Sequence, residues 1–145
     1  MSKTNEQLDD DDYYERTLAT EEKIKSQCRK LKSKIKKNID NNYLNFSKSK
    51  NLVSKYFDDY KLIKYYKTQF YSEFGFVYDF FEKQTSFRES HNKIYIEKCK
   101  REYSQFFIKI DDKKLGLTDK QLEAVFTDED ASLINAGAGT GKTKT

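Results

Sequence analysis

The apolar residues in the first third of the chain recur at helical spacing. From Ile24 onward they follow steps of four, three, four and four residues, which places one narrow apolar stripe along a helix. The stripe consists of Ile24, Cys28, Leu31, Ile35 and Ile39, with Leu18 preceding it. The remaining positions are mostly lysine, serine, glutamine and asparagine. The pattern predicts a long basic helix from about residue 15 to 40, which needs a packing partner in this chain or another, and Asn38, Asn41 and Asn42 mark its end.

Residues 47–107 are rich in aromatic side chains and keep a helical period. The apolar series are Leu52, Tyr56 and Tyr60; Ile63, Tyr66 and Phe70; Phe76, Phe80 and Phe81; and Ile94, Cys99, Tyr103, Phe106 and Phe107. The whole chain has no proline and 5 glycines, so few positions interrupt a helix. We expect three or four helices here, with a turn at Gly75 and a polar linker over 111–116.

The pattern changes on both sides of this region. Residues 1–14 include four consecutive aspartates and almost no apolar residue, which predicts a disordered acidic tail. Beyond residue 116 we expect a short helix over 118–126, an acidic turn over 128–130 and a short strand over 131–135, followed by a glycine-rich loop. Thr118 and Gln121 have the spacing of a capping box. The prediction is therefore a mainly α chain in three parts: the tail 1–14, a helical region 15–110 and an α-β-loop segment 111–145.

Charge is distributed unevenly along the chain. The net charge is +4, yet residues 16–64 carry +9 and residues 1–15 carry −5. Three interpretations of the basic region stay open. It is the solvated face of a structural helical domain, a surface that binds nucleic acid, or a coiled coil that engages a protein partner. In the second case the phosphate ligands would be Lys30, Lys32, Lys34, Lys36 and Lys37.

Composition restricts the class of protein further. The mean hydropathy is −0.98, and no stretch approaches the roughly 18 apolar residues of a membrane span, so we expect no membrane insertion. Cys28 and Cys99 lie far apart in apolar registers, which is typical of small core residues in a reducing, cytoplasmic protein. His91 is the one histidine and has no ligand-type neighbour in sequence, so we assign it no metal.

The strongest chemical signal is a phosphate-binding loop near the end of the chain. It consists of Ala136, Gly137, Ala138, Gly139, Thr140, Gly141, Lys142 and Thr143, and it matches the P-loop pattern with alanine in place of the first glycine. Glycines allow successive backbone N–H groups, here from Gly139 to Thr143, to converge on phosphate oxygens. Lys142 would contact the β and γ phosphates as the catalytic lysine, and the Thr143 hydroxyl would bind Mg²⁺.

Together with the preceding segment, this loop resembles a known family. Residues 117–125, Leu-Thr-Asp-Lys-Gln-Leu-Glu-Ala-Val, followed by the P-loop, are similar to the start of a UvrD/Rep-type superfamily 1 DNA helicase. A looser similarity to helicase-IV-like members begins near Ser90, with His91-Asn92, Tyr103 and Phe106-Phe107. Asn135 departs from the family pattern, which has an aliphatic residue at the end of the strand.

The resemblance implies a RecA-like α/β ATPase domain that begins in segment 111–145. Gln121 matches the glutamine that reads the adenine edge, so ATP and Mg²⁺ would be the cofactors. The parent protein would be an ATP hydrolase that translocates on single-stranded or forked DNA. Its N-terminal helices could contact a protein partner such as RNA polymerase. Alternatives are a non-enzymatic helical interaction module and an unrelated P-loop enzyme such as a kinase.

The given chain stops two residues after Thr143. Such an ATPase also needs an acidic motif that holds Mg²⁺, arginines that stabilise the transition state and a second RecA-like domain. These elements are absent from the 145 residues. We therefore expect this piece on its own neither to hydrolyse ATP nor to bind it tightly.

Overall fold

A computed structural model of the chain describes residues 5–110 and 117–131. The α-helices are α1 Asn5–Ile39, α2 Phe46–Lys61, α3 Lys67–Glu82, α4 Gln84–Ile110 and α5 Asp119–Phe126, with one 3₁₀ turn at Lys64–Tyr66. The described chain is mainly helical, as predicted. The predicted linker 111–116 and the strand beyond Ala131 lie outside the described residues, and Ala131 itself lies in a bend.

Helix α1 finds its packing partner within the chain. All five residues of its predicted stripe from Ile24 to Ile39 are buried, and they pack against α2 and α3. The helix ends at Ile39, and Asn41 adopts a left-handed conformation with φ of 61°, as suits an asparagine after a helix. The structure differs from the prediction at the other end, because α1 begins at Asn5 and includes residues 5–14. Negative charge near a helix N-terminus is favoured by the helix dipole, and no proline or glycine interrupts this segment.

Aromatic side chains of α2 and α3 form the centre of the core. The rings of Tyr60 and Phe81 stack at a centroid distance of 4.3 Å and an interplanar angle of 6°. Phe80 meets Phe87 edge to face at 5.3 Å. The buried Tyr78 hydroxyl donates a hydrogen bond of 3.1 Å to the carbonyl of Ile63. Large rings therefore supply the burial that a chain with few aliphatic residues needs.

The turn predicted at Gly75 takes the form of a kink within one helix, not a break between two. Helix α3 continues through this residue with a kink at Phe74, whose φ and ψ are −121° and 21°. Residues on both sides of the kink are buried, among them Phe70 and Val77. Burying such side chains outweighs the cost of about 1 kcal/mol for one glycine in a helix, so the helix resumes after the kink instead of ending there.

Of the predicted apolar register of α4, Cys99 is buried, but three other members are not. Ile94, Tyr103 and Phe106 are 70%, 49% and 57% exposed. Between residues 84 and 106, the buried residues of α4 are Cys99 and two that the prediction did not include, Asn92 and Ile96, at spacings of four and three. The pattern of apolar residues missed this face because its first member is a polar asparagine.

Asn92 is buried because its amide bonds the backbone of the α1–α2 connection. Its Nδ2 donates to the carbonyl of Leu44 at 3.0 Å, and its Oδ1 accepts from the Leu44 N–H at 2.8 Å. Leu44 is itself fully buried, and Asn45 beside it caps α2 by accepting from the Lys48 N–H at 2.8 Å. One side chain thus satisfies both polar groups of a buried loop residue.

Cys28 and Cys99 are both buried, as expected of small core residues, and their thiols are free. Over the ranges 5–110 and 117–131, no helix combines the length and the apolar character needed to cross a membrane.

Replacing Asn92 with alanine should destabilise the protein by about 3 kcal/mol, because two buried backbone groups of Leu44 lose their partner. Urea unfolding followed by circular dichroism measures the change. Asn51→Ala on the exposed face of α2 is the matched control and should shift the free energy of unfolding by less than about 0.5 kcal/mol. Equal small effects of both substitutions would contradict the role of the Asn92 amide.

The buried tyrosines predict a loss of stability in alkali. Burial raises the pKa values of Tyr60 and Tyr78, and the Tyr60 hydroxyl also donates to Glu82. The folded state therefore keeps these protons at a pH where the unfolded chain, with a pKa near 10, has lost them. Their stabilisation is complete below about pH 9 and falls as pH rises above 10, by about 1.4 kcal/mol per pH unit for each tyrosine.

Urea unfolding at about pH 9, 10 and 11 tests this dependence. Tyr60→Phe should reduce the loss of unfolding free energy in alkali by the contribution of one tyrosine. Tyr65→Phe, at a position 81% exposed, should leave that loss unchanged. An identical decline in wild type and Tyr60→Phe would refute this origin.

Candidate functional site

Helix α5 carries the one predicted nucleotide-site residue that the structure describes, Gln121. The Thr118 hydroxyl accepts from the Gln121 N–H at 3.3 Å, and Gln121 Oε1 accepts from the Thr118 N–H at 2.9 Å. The predicted capping box is confirmed. It holds the amide of Gln121, a partly exposed side chain, against the first turn of α5.

Helix α4 holds α5 near both of its ends. At the N-terminal end, Lys100 Nζ lies 2.9 Å from Asp119 Oδ1 and 3.2 Å from Glu97 Oε1, and the Lys100 side chain is only 11% exposed. The hydrogen bond to Asp119 raises the pKa of Lys100 and keeps the ammonium charged. At the C-terminal end, the Phe126 ring packs against Tyr103 with centroids 5.9 Å apart.

The segment after α5 is held through Glu129. Arg88 of α4 donates to its carboxylate, and the hydroxyl of Tyr43 donates to the same Oε1 atom at 3.0 Å. Burial of the hydroxyl and this hydrogen bond to a carboxylate raise the pKa of Tyr43 to about 12. Tyr43 therefore acts only as a neutral donor near neutral pH. The Arg88 and Glu129 side chains are 21% and 25% exposed, so this ion pair is less screened by water than a surface pair.

Asp130 gives the same segment a second attachment. The backbone N–H and the hydroxyl of Ser47, in the first turn of α2, donate to Asp130 Oδ2 at 2.9 and 2.8 Å. The sequence predicted only an acidic turn at 128–130 and missed the partners, which lie 41 to 86 residues away in the chain. Three consecutive acidic residues after a short helix, Asp128 to Asp130, were the one signal that could have indicated anchoring.

A cavity of about 570 Å³ lies between α4 and α5. Its basic side chains include Arg88 and Lys100, which pair with Glu129 and Asp119 on the opposite wall. Across the described ranges, no group of three or more His, Cys, Asp or Glu residues could hold a metal ion. These two ion pairs attach α5 and the segment after it to α4.

The other predicted site residues lie outside the described residues. These are Ala136, Gly137, Ala138, Gly139, Thr140, Gly141, Lys142 and Thr143. Comparison of the chain with protein-family profiles, with curated proteins and with solved structures finds no match in any of the three.

Arg88→Met should loosen the segment around α5, because Glu129 loses its cationic partner in a partly buried place. We expect hydrogen exchange of the amides at 119–127 to accelerate about tenfold or more, while amides in the centre of α1 keep their protection. Arg101→Met, which removes an exposed arginine from the same helix, should leave exchange at α5 unchanged. Unchanged exchange at α5 in Arg88→Met would show that the ion pair does not hold the segment.

Proposed function

We propose that this chain is the ATP-binding N-terminal part of a UvrD/Rep-type superfamily 1 DNA helicase of the helicase-IV-like kind. The observation that carries the proposal is the pairing of Gln121, on a capped helix, with the P-loop pattern whose lysine is Lys142. A capping box alone is common, and a Gly-Lys-Thr alone is a weak pattern. Their combination at this spacing is what the helicase family resembles.

The amide of Gln121 suits recognition of adenine. An amide donates and accepts at once, which matches the N6 donor and N7 acceptor of the adenine edge. The capping bond to the Thr118 N–H is compatible with this role, because a carbonyl oxygen has two acceptor lone pairs. The cap would also limit the rotamers of Gln121 and so reduce the entropy lost when a nucleotide binds.

The P-loop supplies the phosphate end of the proposed site. Backbone N–H groups from Gly139 to Thr143 would line the phosphates, Lys142 would neutralise their charge and Thr143 would bind Mg²⁺. Magnesium and ATP are thus the proposed cofactors, and DNA, single-stranded or forked, is the proposed substrate of the whole enzyme.

The helical region would position this site. Lys100 holds the start of α5, and the contacts of Glu129 and Asp130 hold the residues that lead toward the P-loop. Gln121 would therefore approach the nucleotide from a helix whose ends are tied to α4 and to the α1–α2 connection. A protein partner such as RNA polymerase, bound to these helices, would contact the same elements that position α5.

Gln121→Glu separates the two roles of this side chain. Glutamate still completes a capping box but has no N–H to donate to adenine N7. In the native polypeptide, isolated with an antibody to residues 20–106, we expect the KM for ATP to rise about tenfold or more while the KM for GTP changes little. The midpoint temperature of thermal unfolding should stay unchanged, because the capping box of α5 is kept.

Lys142→Ala provides the control for the phosphate end. It should abolish hydrolysis of ATP and GTP alike, because the lysine contacts phosphates that both nucleotides share. ATP hydrolysis that persists in Lys142→Ala, or a Gln121→Glu enzyme with unaltered preference for ATP, would overturn the proposal.

A further inference from the structure

Helix α1 carries an unbroken run of positive charge. Residues 23–39 contain eight Lys or Arg residues and no Asp or Glu. The basic part of this run extends over about 21 Å of helix at 1.5 Å per residue. The buried stripe from Ile24 to Ile39 occupies the opposite side, so the charges are confined to the remaining circumference of the helix.

One face of this run has a regular composition. Positions at spacings of three, four, three and four residues share one face of a helix, and here they alternate between lysine and serine. This Lys/Ser stripe consists of Lys23, Ser26, Lys30, Ser33 and Lys37. Its three lysines are exposed, and they repeat every seven residues, which places them about 10.5 Å apart along the helix.

Acidic residues of α1 and of the neighbouring helices neutralise little of this charge. Lys34 pairs with Asp59 of α2 at 2.7 Å, and Arg29 lies 3.8 Å from Glu22. The three lysines of the Lys/Ser stripe make no ion pair with any residue in the described ranges. Asp40 and Glu73 line the groove beside the stripe, but four basic side chains line it with them: Arg29, Lys32, Lys36 and Lys37. The surface therefore keeps a strong excess of positive charge.

The basic run costs stability in the free protein, because some of its charges, such as Lys30 and Lys34 or Lys32 and Lys36, lie four residues apart on one helix and repel one another. A polyanion laid along α1 would remove this repulsion and release the counterions that the polyanion carries.

The chemistry of the stripe selects among polyanions. Lysine ammonium groups and serine hydroxyls are the side chains that typically contact phosphate oxygens and carry no sequence information. The stripe has no aromatic residue on which unstacked bases could stack, which disfavours single strands as its ligand. It also has no apolar residue, since the apolar face of α1 is buried in the core, which disfavours insertion into a lipid surface.

We propose that the Lys/Ser stripe of α1 binds the phosphate backbone of duplex DNA without sequence preference. The contact lies outside the proposed nucleotide site and does not depend on it.

Fluorescence anisotropy of a labelled duplex of about 24 base pairs, titrated with the full 145-residue chain at several NaCl concentrations, tests the proposal. The variant Lys23→Gln/Lys30→Gln/Lys37→Gln should bind about tenfold or more weakly. The slope of log K against log salt should be about 2.7 smaller in magnitude, because each lost phosphate contact accounts for about 0.9.

A matched variant controls for net charge. Lys50→Gln/Lys55→Gln/Lys93→Gln removes three exposed lysines from α2 and α4 and should keep the affinity within about threefold of wild type and the wild-type slope. Equal losses in both variants would overturn the proposal, since they would reflect overall charge alone. Circular dichroism of both variants must match wild type, because all six positions are on helix surfaces.

Three further ligands test whether the stripe prefers duplex DNA to other polyanions. Duplex RNA, polyglutamate and phosphatidylserine vesicles should each bind more weakly than duplex DNA. Tighter stripe-dependent binding of any of them would overturn the assignment to DNA. Gln121→Glu should bind the duplex like wild type, so failure of the ATP-binding proposal and failure of this one give different results.

Discussion

The amide of Asn92 fixes the point at which distant parts of the chain meet. By bonding both backbone groups of Leu44, it holds the α1–α2 connection against α4. Tyr43, the residue before Leu44, and Ser47, three residues after it, reach Glu129 and Asp130 beyond α5. If the connection moved by one residue, Leu44 would leave the core and both attachments would be lost. The attachments of Glu129 and Asp130 to the α1–α2 connection therefore depend in part on one buried polar side chain in α4.

The two sides of helix α1 affect the stability of the protein in different ways. Its narrow apolar stripe contributes buried apolar surface to the core, where α2 and α3 cover it. The remaining surface concentrates lysines, three of which also lie over rings: Lys25 over Phe70 at 5.7 Å, Lys34 over Tyr56 at 5.9 Å and Lys36 over Phe76 at 5.8 Å. These contacts with long apolar stems offset part of the charge repulsion. The helix can thus keep a basic outer face without losing its place in the core.

The sequence predicted those parts of the structure that depend on local patterns. The period of Ile24 to Ile39 identified the buried face of α1, and the spacing of Thr118 and Gln121 identified the capping box. The register of α4 was missed because a buried asparagine reads as polar, and its partner lies 48 residues away. The attachments of Glu129 and Asp130 could not be predicted, because each joins residues that only the fold brings together.

The way α5 is held has a consequence for any ligand that contacts it. Within α5, which the structure describes from end to end, no side chain is buried. The contacts that fix its position include the ion pairs at Asp119 and Glu129, the Ser47 bonds and the ring contact of Phe126 with Tyr103. Segments with few buried apolar contacts open at low free-energy cost, so α5 belongs to the least stable part of the fold. The adenine ring of a bound nucleotide would contact Gln121 only while α5 is attached to the helical region. Its binding would therefore stabilise the attached form by mass action. Nucleotide binding at this site and attachment of α5 to the helical region would then be thermodynamically linked, and each would strengthen the other.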